Sequence, residues 1–241
     1  MANPYFKFKQ FTVHHDRCAM KVTTDSCFFG AWVAEEIKNE KLEIKNALDI
    51  GTGTGLLSLM IAQKNKVDIS AVEIDSEASQ QAKENIDASP CKNQISIYNE
   101  DIVLFQPGKT YDCIISNPPF YENELASAKQ KKNVAHHSEQ LTISQVVSLI
   151  KTHLKEKGIF FLMLPFKRSE EIQKLLRKND LHISHSLILS QSVHHAPFRI
   201  IIKGSKEKIS STTSTSIAIW NEHQQYTGEF IELLNDYYLY L

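Results

Sequence analysis

The chain has 241 residues, 42% hydrophobic and 23% charged, with a formal net charge of −1. Its apolar runs all stop short of the roughly 18 residues that span a bilayer, and Met1–Lys7 lacks the apolar core of a secretory leader. Near-neutral charge argues against a protein whose whole surface grips nucleic acid, while leaving room for a local basic patch.

The first 28 residues are aromatic and polar with little periodicity, and Ala31–Ile37 then has helical spacing. Ala47–Ile50 reads as a short strand running into Gly51-Thr52-Gly53-Thr54-Gly55, and Leu56–Gln63 returns to helical spacing. A strand over Val67–Ile74 carries Glu73 at its end, and a helix opens at Ser76 and stops before Pro90. Ile95–Tyr98 alternates like a strand and leads to Glu100-Asp101. Tyr111–Ser116 is the next strand, followed at once by Asn117-Pro118-Pro119-Phe120. A helix over Leu141–Lys155, a strand over Ile159–Leu164 and a helix over Ser169–Lys178 follow. Strands near 183–189 and 198–203 come without a helix between them, which predicts an antiparallel hairpin at one sheet edge. Ser210–Ser216 reads as an exposed loop, Ile217–Trp220 as a last strand and Gly228–Tyr240 as a closing helix. Alternating strands and helices predict a doubly wound, mainly parallel α/β sheet, with residues 1–241 forming one domain.

Three acidic residues, Asp49, Glu73 and Asp101, fall at or beside the ends of successive strands, where a doubly wound sheet opens its binding crevice. Glycines at 51, 53 and 55 permit a tight turn and close approach of backbone to a ligand; alone they fit an ordinary strand-to-helix turn equally well. Glu73 stands about 20 residues on, where a carboxylate accepts two ribose hydroxyls. Asp101 is placed to accept from an adenine amino group, and Asp49 to act on an ammonium, directly or through water. A pyrophosphate cofactor would want cations at the loop, yet no Lys or Arg stands between residues 46 and 63. That points to a cationic, phosphate-free cofactor, S-adenosylmethionine.

Asn117-Pro118-Pro119-Phe120 reads as a rigid acceptor pair with an aromatic lid. Prolines fix φ and lack an N–H, and Pro118 pushes Asn117 out of the helical region. The Asn117 side chain and the Pro118 carbonyl can then accept both protons of a planar amine, with Phe120 stacked on its ring. Taken alone, the segment fits a plain turn as well, and the pocket suits any planar amine or amide.

Cys18, Cys27, Cys91 and Cys113 form no C-x-x-C pair, the pattern of reduced thiols in a cytoplasm. The pairs His14-His15, His136-His137 and His194-His195 lack Cys or carboxylate at ligand spacing, so no metal is expected.

The motifs Ala47–Gly55, Ala71–Asp75, Glu100–Ile102 and Ile114–Phe120 occur in the order found in class I S-adenosylmethionine-dependent methyltransferases, and the last resembles the branch that methylates amino groups. Phe8–Val13, Asp16–Asp25, Gln225–Phe230 and Asp236–Leu239 are more specific. With them the chain, from about residue 6 onward, resembles the bacterial enzymes that methylate adenosine N6 in the anticodon loop of a valine tRNA. Phe120 stands where such enzymes often carry Tyr; either ring can stack.

The resemblance implies a Rossmann-like sheet of seven strands, S-adenosyl-L-methionine as cofactor and tRNA as substrate. It implies cofactor contacts from Asp49, Gly51, Gly53, Gly55, Glu73, Asp101, Ile102 and Asn117, and from Thr24 and Asp25 in an N-terminal segment (residues 1–30) that approaches the cofactor. Thr24 and Asp25 also fit a helix cap. Catalysis falls to Asn117, Pro118, Pro119 and Phe120. Candidate RNA-facing cations are Lys21, Lys129, Lys131, Lys132 and Arg199, each also readable as solvated surface. Residues 122–140 follow the catalytic segment with little pattern and read as a substrate loop ordered by RNA. A cytoplasmic enzyme with neither metal nor membrane is implied. The oligomeric state stays open, a monomer being favoured. The same chemistry on an rRNA or DNA adenine or a protein glutamine fits the acceptor pocket too, as does, from another class, a non-catalytic RNA-binding protein on this fold.

Overall fold

A computed structural model describes residues 3–118 and 141–241. An antiparallel hairpin of β1 (Tyr5–Lys7) and β2 (Thr12–His14) precedes helix α1 (Thr24–Lys38). Strand β3 (Asn46–Ile50), α2 (Leu56–Lys64), β4 (Asp68–Glu73), α3 (Ser76–Asp87), β5 (Ile95–Asn99) and β6 (Tyr111–Ser116) then alternate. The remainder comprises α4 (Ile143–His153), β7 (Leu154–Pro165), α5 (Ser169–Lys178), β8 (His182–Ser192), β9 (Pro197–Ser205), β10 (Thr213–Trp220) and α6 (Gly228–Leu234).

The main sheet has the order β10-β8-β9-β7-β6-β3-β4-β5, and among its described strands β9 alone runs against the rest. The doubly wound, mainly parallel α/β architecture is as expected, with two differences. Among the described residues the sheet has eight strands rather than seven, and the β8–β9 hairpin is not its edge, because β10 lies outside β8 in parallel register. The Ser/Thr run expected to be a loop supplies half of that strand. Thr and Ser carry little apolar signal, yet pair well on the exposed, uncharged edge they form here.

Local chemistry accounts for other boundaries. Helix α1 starts at Thr24, seven residues before the first expected apolar turn. Thr23 caps it, accepting from the Ser26 N–H, while Ser26 returns to the Thr23 backbone. Strand β7 begins inside the expected helix, at Leu154. Its pairing with β6 slips between Tyr111 and Cys113, and there Gly158 passes so close that a Cβ would sit 3.0 Å from the Asp112 carbonyl. Helix α6 ends at Leu234, and Asn235–Leu241 leaves the helix to meet the N-terminus.

One core layer lies between the sheet and α1, α2, α3 and α6; the other lies under α4 and α5. The chain's two ends close the first layer together. Phe8 bridges Tyr238, the Lys9 N–H donates to the Tyr237 carbonyl at 2.8 Å, and Phe6, Phe8, Phe230 and Tyr238 pack ring against ring.

Candidate functional site

The strand order turns at β3, which has β4 on one side and β6 on the other, and ligands of open α/β sheets bind in the crevice outside such a turning point. Ile50 is level with Val72 and Ser116, and Glu73 is level with Asn99. The next residue on each strand therefore brings Gly51, Glu73, Asn99 and Asn117 onto one rung at the carboxyl edge.

The glycine loop is held from two sides. Gly51, Gly53 and Gly55 all have positive φ, at 71°, 56° and 80°. A Cβ on Gly51 or Gly53 would meet nothing within 4 Å, so backbone there faces open space. The Gly51 and Thr52 N–H groups donate to the Val72 carbonyl at 3.0 and 3.1 Å. The Gly53 N–H donates to Glu73 Oε2 at 2.8 Å, and the Asp75 N–H to Glu73 Oε1 at 3.0 Å. Asn99 ties the neighbouring strand in, donating to the Glu73 and Ile74 carbonyls at 2.9 and 3.1 Å.

Asp49 sits beneath the loop, 0% exposed. Its Oδ2 accepts from the Thr52 and Ser58 hydroxyls, each at 2.7 Å, while Oδ1 has no partner among the described residues. Burial pushes its carboxyl up to about 6, against the pull of those two hydroxyls. A buried carboxylate with one orphaned oxygen beneath an open backbone turn is an arrangement that wants a cationic group or a water above it.

On the far side, the Asp101 carboxylate caps its own turn, accepting from the Val103 N–H at 2.9 Å, and Ile102 is buried behind it. Ile74 and Leu104, at 51% and 67% exposed, stand out on the flanks as unburied apolar side chains. On β6, the Ser116 hydroxyl bonds the Ile50 carbonyl at 2.9 Å, fixing the strand end from which half-buried Asn117 and buried Pro118 emerge.

A family model described as "Methyltransferase small domain" matches residues 31–178. A protein of Parabacteroides distasonis named tRNA1(Val) (adenine(37)-N6)-methyltransferase is 36% identical over 241 residues, 99% of each chain. The chain belongs to this methyltransferase family. Among solved structures, a predicted O-methyltransferase from Agrobacterium tumefaciens aligns with a TM-score of 0.68 at 13% identity, covering 87% of this chain and 95% of that one. A glycopeptide N-methyltransferase complexed with S-adenosylmethionine aligns at 0.54 with 9% identity, covering 74% and 94%. These two likenesses carry the fold.

For a methyltransferase that uses S-adenosylmethionine, the residues present fit the cofactor. The open glycine turn admits backbone contact, the stretch from 46 to 63 that carries it has no Lys or Arg, the Asp49 oxygen orphaned among the described residues suits an ammonium, and Glu73 still has acceptor capacity for hydroxyl donors.

The expected residues distribute unevenly. Asp49, Gly51, Gly53, Gly55, Glu73, Asp101, Ile102, Asn117 and Pro118 all lie along the carboxyl edge. Pro119, Phe120, the 122–140 segment and with it Lys129, Lys131 and Lys132 lie outside the described residues. Thr24 is exposed at the start of α1, and Lys21 is exposed just before it. Asp25 and Arg199, expected separately at cofactor and RNA, are joined: Arg199 Nε donates to Asp25 Oδ2 at 2.7 Å. Their separation of 174 residues hid that pairing. Thr52, Ser58 and Asn99 were not singled out by sequence, although Thr52 sits inside the glycine motif and a hydroxyl beside a buried carboxylate is a readable signal.

Proposed function

We propose that this protein transfers a methyl group from S-adenosylmethionine to the exocyclic N6 of an adenosine in a tRNA anticodon loop, that of a valine tRNA, in the cytoplasm. The full-length likeness to relatives so named supports the substrate. The observation that carries the chemistry is the emergence of Asn117 and Pro118 from the end of β6, one strand from the glycine turn and on its rung.

An adenine amino nitrogen is a poor nucleophile because its lone pair is delocalised into the ring. The Asn117 side-chain oxygen and the Pro118 carbonyl accept hydrogen bonds from its two N–H groups and favour a pyramidal nitrogen. Phe120 stacks on the base and holds its plane. When bound, the cofactor supplies a sulfonium methyl as electrophile. The nitrogen held by Asn117 and Pro118 would take that methyl as its bond to sulfur breaks, leaving a neutral thioether, and the proton, made acidic by alkylation, would pass to water. The protein's share is positioning and electrostatics, without a strong general base. Glu73 holds the ribose hydroxyls, Asp101 and Ile102 the adenine of the cofactor, and Asp49 the ammonium end through its unpaired oxygen. Lys21 and the lysines at 129, 131 and 132 meet RNA phosphates. A loop nucleotide is unstacked at low cost, which suits a pocket that takes one base.

Asn117→Ala is expected to lower turnover about a hundredfold or more while S-adenosylmethionine still binds. The assay is labelled methyl transfer to tRNA from a strain lacking the protein, followed by nucleoside digestion. Near wild-type transfer by that variant would overturn the assignment of Asn117. A methylated product other than N6-methyladenosine, or no product at all with tRNA, would overturn the substrate.

A further inference from the structure

Two amide side chains of α3 are buried without belonging to either core layer. Gln81 is 1% and Asn85 2% exposed, one helical turn apart on the same face. Each holds the N-terminal segment. Asn85 Oδ1 accepts from the His14 N–H at 2.9 Å, and Asn85 Nδ2 donates to the His14 carbonyl at 2.9 Å. Gln81 Nε2 donates to Asp16 Oδ1 at 2.7 Å, and Gln81 Oε1 accepts from the Arg17 N–H at 3.1 Å and the Cys18 thiol at 3.2 Å. Asp16, Arg17 and residues 19–21 are exposed, so these bonds are among the few anchors of that stretch.

The same helix grips the glycine loop. Asn85 Nδ2 also donates to the Thr54 carbonyl at 2.9 Å. A Cβ on Gly55 would lie 3.4 Å from Ile86 Cδ1 and 3.6 Å from Ala82 Cβ. At its start, the Asp75 N–H shares the Glu73 carboxylate with the Gly53 N–H, and Asp75 caps α3 by accepting from the Ala78 N–H at 2.8 Å. One unbroken set of contacts thus runs from Glu73 through the loop to Asn85, and from Asn85 and Gln81 to residues 14–18.

From this geometry we infer that Asn85 and Gln81 are positioning residues that couple the cofactor site to the N-terminal arm, residues 14–22, so that filling the first orders the second for RNA. Ribose hydroxyls arriving at Glu73 take up the remaining acceptor sites of the same two oxygens that hold the Gly53 and Asp75 N–H groups, and pull on both bonds. Any resettling of Gly53 carries Thr54, and Thr54 is bonded to the amide that holds both backbone groups of His14. A fully bonded buried amide transmits such a shift because releasing any one bond leaves a desolvated polar group. The arm carries Arg17, ion-paired at the surface with Glu84, and exposed Lys21. Coupling between binding sites is reciprocal, so RNA held by the arm must tighten the cofactor by the factor with which the cofactor tightens RNA.

The role of the arm toward RNA rests on the proposed function; its coupling to the cofactor site does not, and the test separates them. Amide hydrogen exchange of the full chain is followed with and without S-adenosylhomocysteine, which binds without turnover. Affinity for a valine anticodon stem-loop is measured under the same two conditions. In the wild-type protein, protection of residues 14–22 is expected to rise about fivefold or more on adding S-adenosylhomocysteine, with RNA affinity rising by a similar factor. Asn85→Ala is expected to lose both responses. Gln81→Ala, which leaves the Thr54 bond intact, is expected to lose the exchange response at Arg17 and Cys18 and to retain it at His14. A wild-type arm indifferent to S-adenosylhomocysteine overturns the inference, as does a folded Asn85→Ala protein that responds like wild type. If Asn85→Ala does not fold, Gln81→Ala decides, and an unchanged response at Arg17 and Cys18 overturns it. Failure of the RNA to bind under either condition would sink the substrate reading while the exchange data still decide the coupling.

Discussion

The carboxyl edge of the sheet and the joined chain ends are built by opposite means. At the edge, backbone atoms and carboxylates are set in a turn that three positive-φ glycines allow, and Asp49 is buried there with one oxygen unpaired among the described residues. At the ends, large rings fill space: Trp220, Tyr226 and Phe230 stack in series, and Phe28, Phe8 and Tyr238 close around them. The first region stores destabilising features where a ligand will meet them; the second supplies stability by burying Phe8, Phe28, Phe230 and Tyr238. Substitutions should therefore separate stability from cofactor affinity along that divide.

The largest expected effect is at the ends. Phe230 is fully buried and touches rings on both sides, so Phe230→Ala should cost about 3–5 kcal/mol of unfolding free energy. Urea unfolding measures this, and cofactor affinity of the folded fraction should be unchanged. An affinity loss matching the stability loss would erase the distinction between the regions.

Asp49 gives the converse. Its carboxyl is raised from an ordinary 3.8 to about 6 in the folded chain by burial. The folded state thus binds the proton more tightly than the unfolded one, and stability from this group is complete below pH 4 and lost as pH rises through 6. By linkage the loss is on the order of 2–3 kcal/mol. Asp49→Asn removes it, so the variant should gain on wild type between pH 4.5 and 7.5 while binding S-adenosylmethionine more weakly. Parallel stability curves across that range would mean that Asp49 is not a stored cost.

Glu73→Gln should act on affinity alone. The amide oxygen can accept one of the two N–H groups now held, but the ribose hydroxyls lose a charged acceptor. Calorimetry should show S-adenosylmethionine binding weakened about tenfold or more, as expected for charge-assisted hydrogen bonds, with the unfolding midpoint nearly unmoved. A large drop in midpoint would place Glu73 among the structural residues.

The divide also governs what could be read from sequence. Glycine spacing, strand-end carboxylates and Asn117-Pro118 are local patterns with local physical causes, and all of them lie along the carboxyl edge of the sheet. The first half of the last strand was not legible, because Thr213–Ser216 has the composition of a loop and joins the expected Ile217–Trp220 only through its neighbour Leu187 and the residues around it. The hairpin β1–β2 was missed for a similar reason: its second strand is held by Asn85 and its turn by Tyr238, both more than 60 residues away. Asp25 and Arg199 were both noticed, each for a partner that is not in the chain, because no local pattern announces an ion pair between a helix start and a distant strand.

The smallest effect tests where the two regions touch. The Tyr237 hydroxyl donates to the Met60 carbonyl at 2.9 Å, and Met60 lies in α2, the helix that leaves the glycine loop. Lys64, at the end of that helix, lies 5.3 Å from the centre of the Tyr237 ring and pairs with Asp236 at 2.9 Å. The tail therefore braces α2 at its middle and end, far from Gly55. Tyr237→Phe removes one buried hydrogen bond and keeps the ring, so it should cost about 1 kcal/mol in urea unfolding. Because α2 moves as a rigid rod when its interior bonds hold, a brace at Met60 steadies the loop only if the helix is loose without it. Unchanged affinity for S-adenosylmethionine would mean that the glycine turn is held by Val72, Glu73 and α3 alone; a loss larger than the stability change would make the chain's last residues part of the cofactor site.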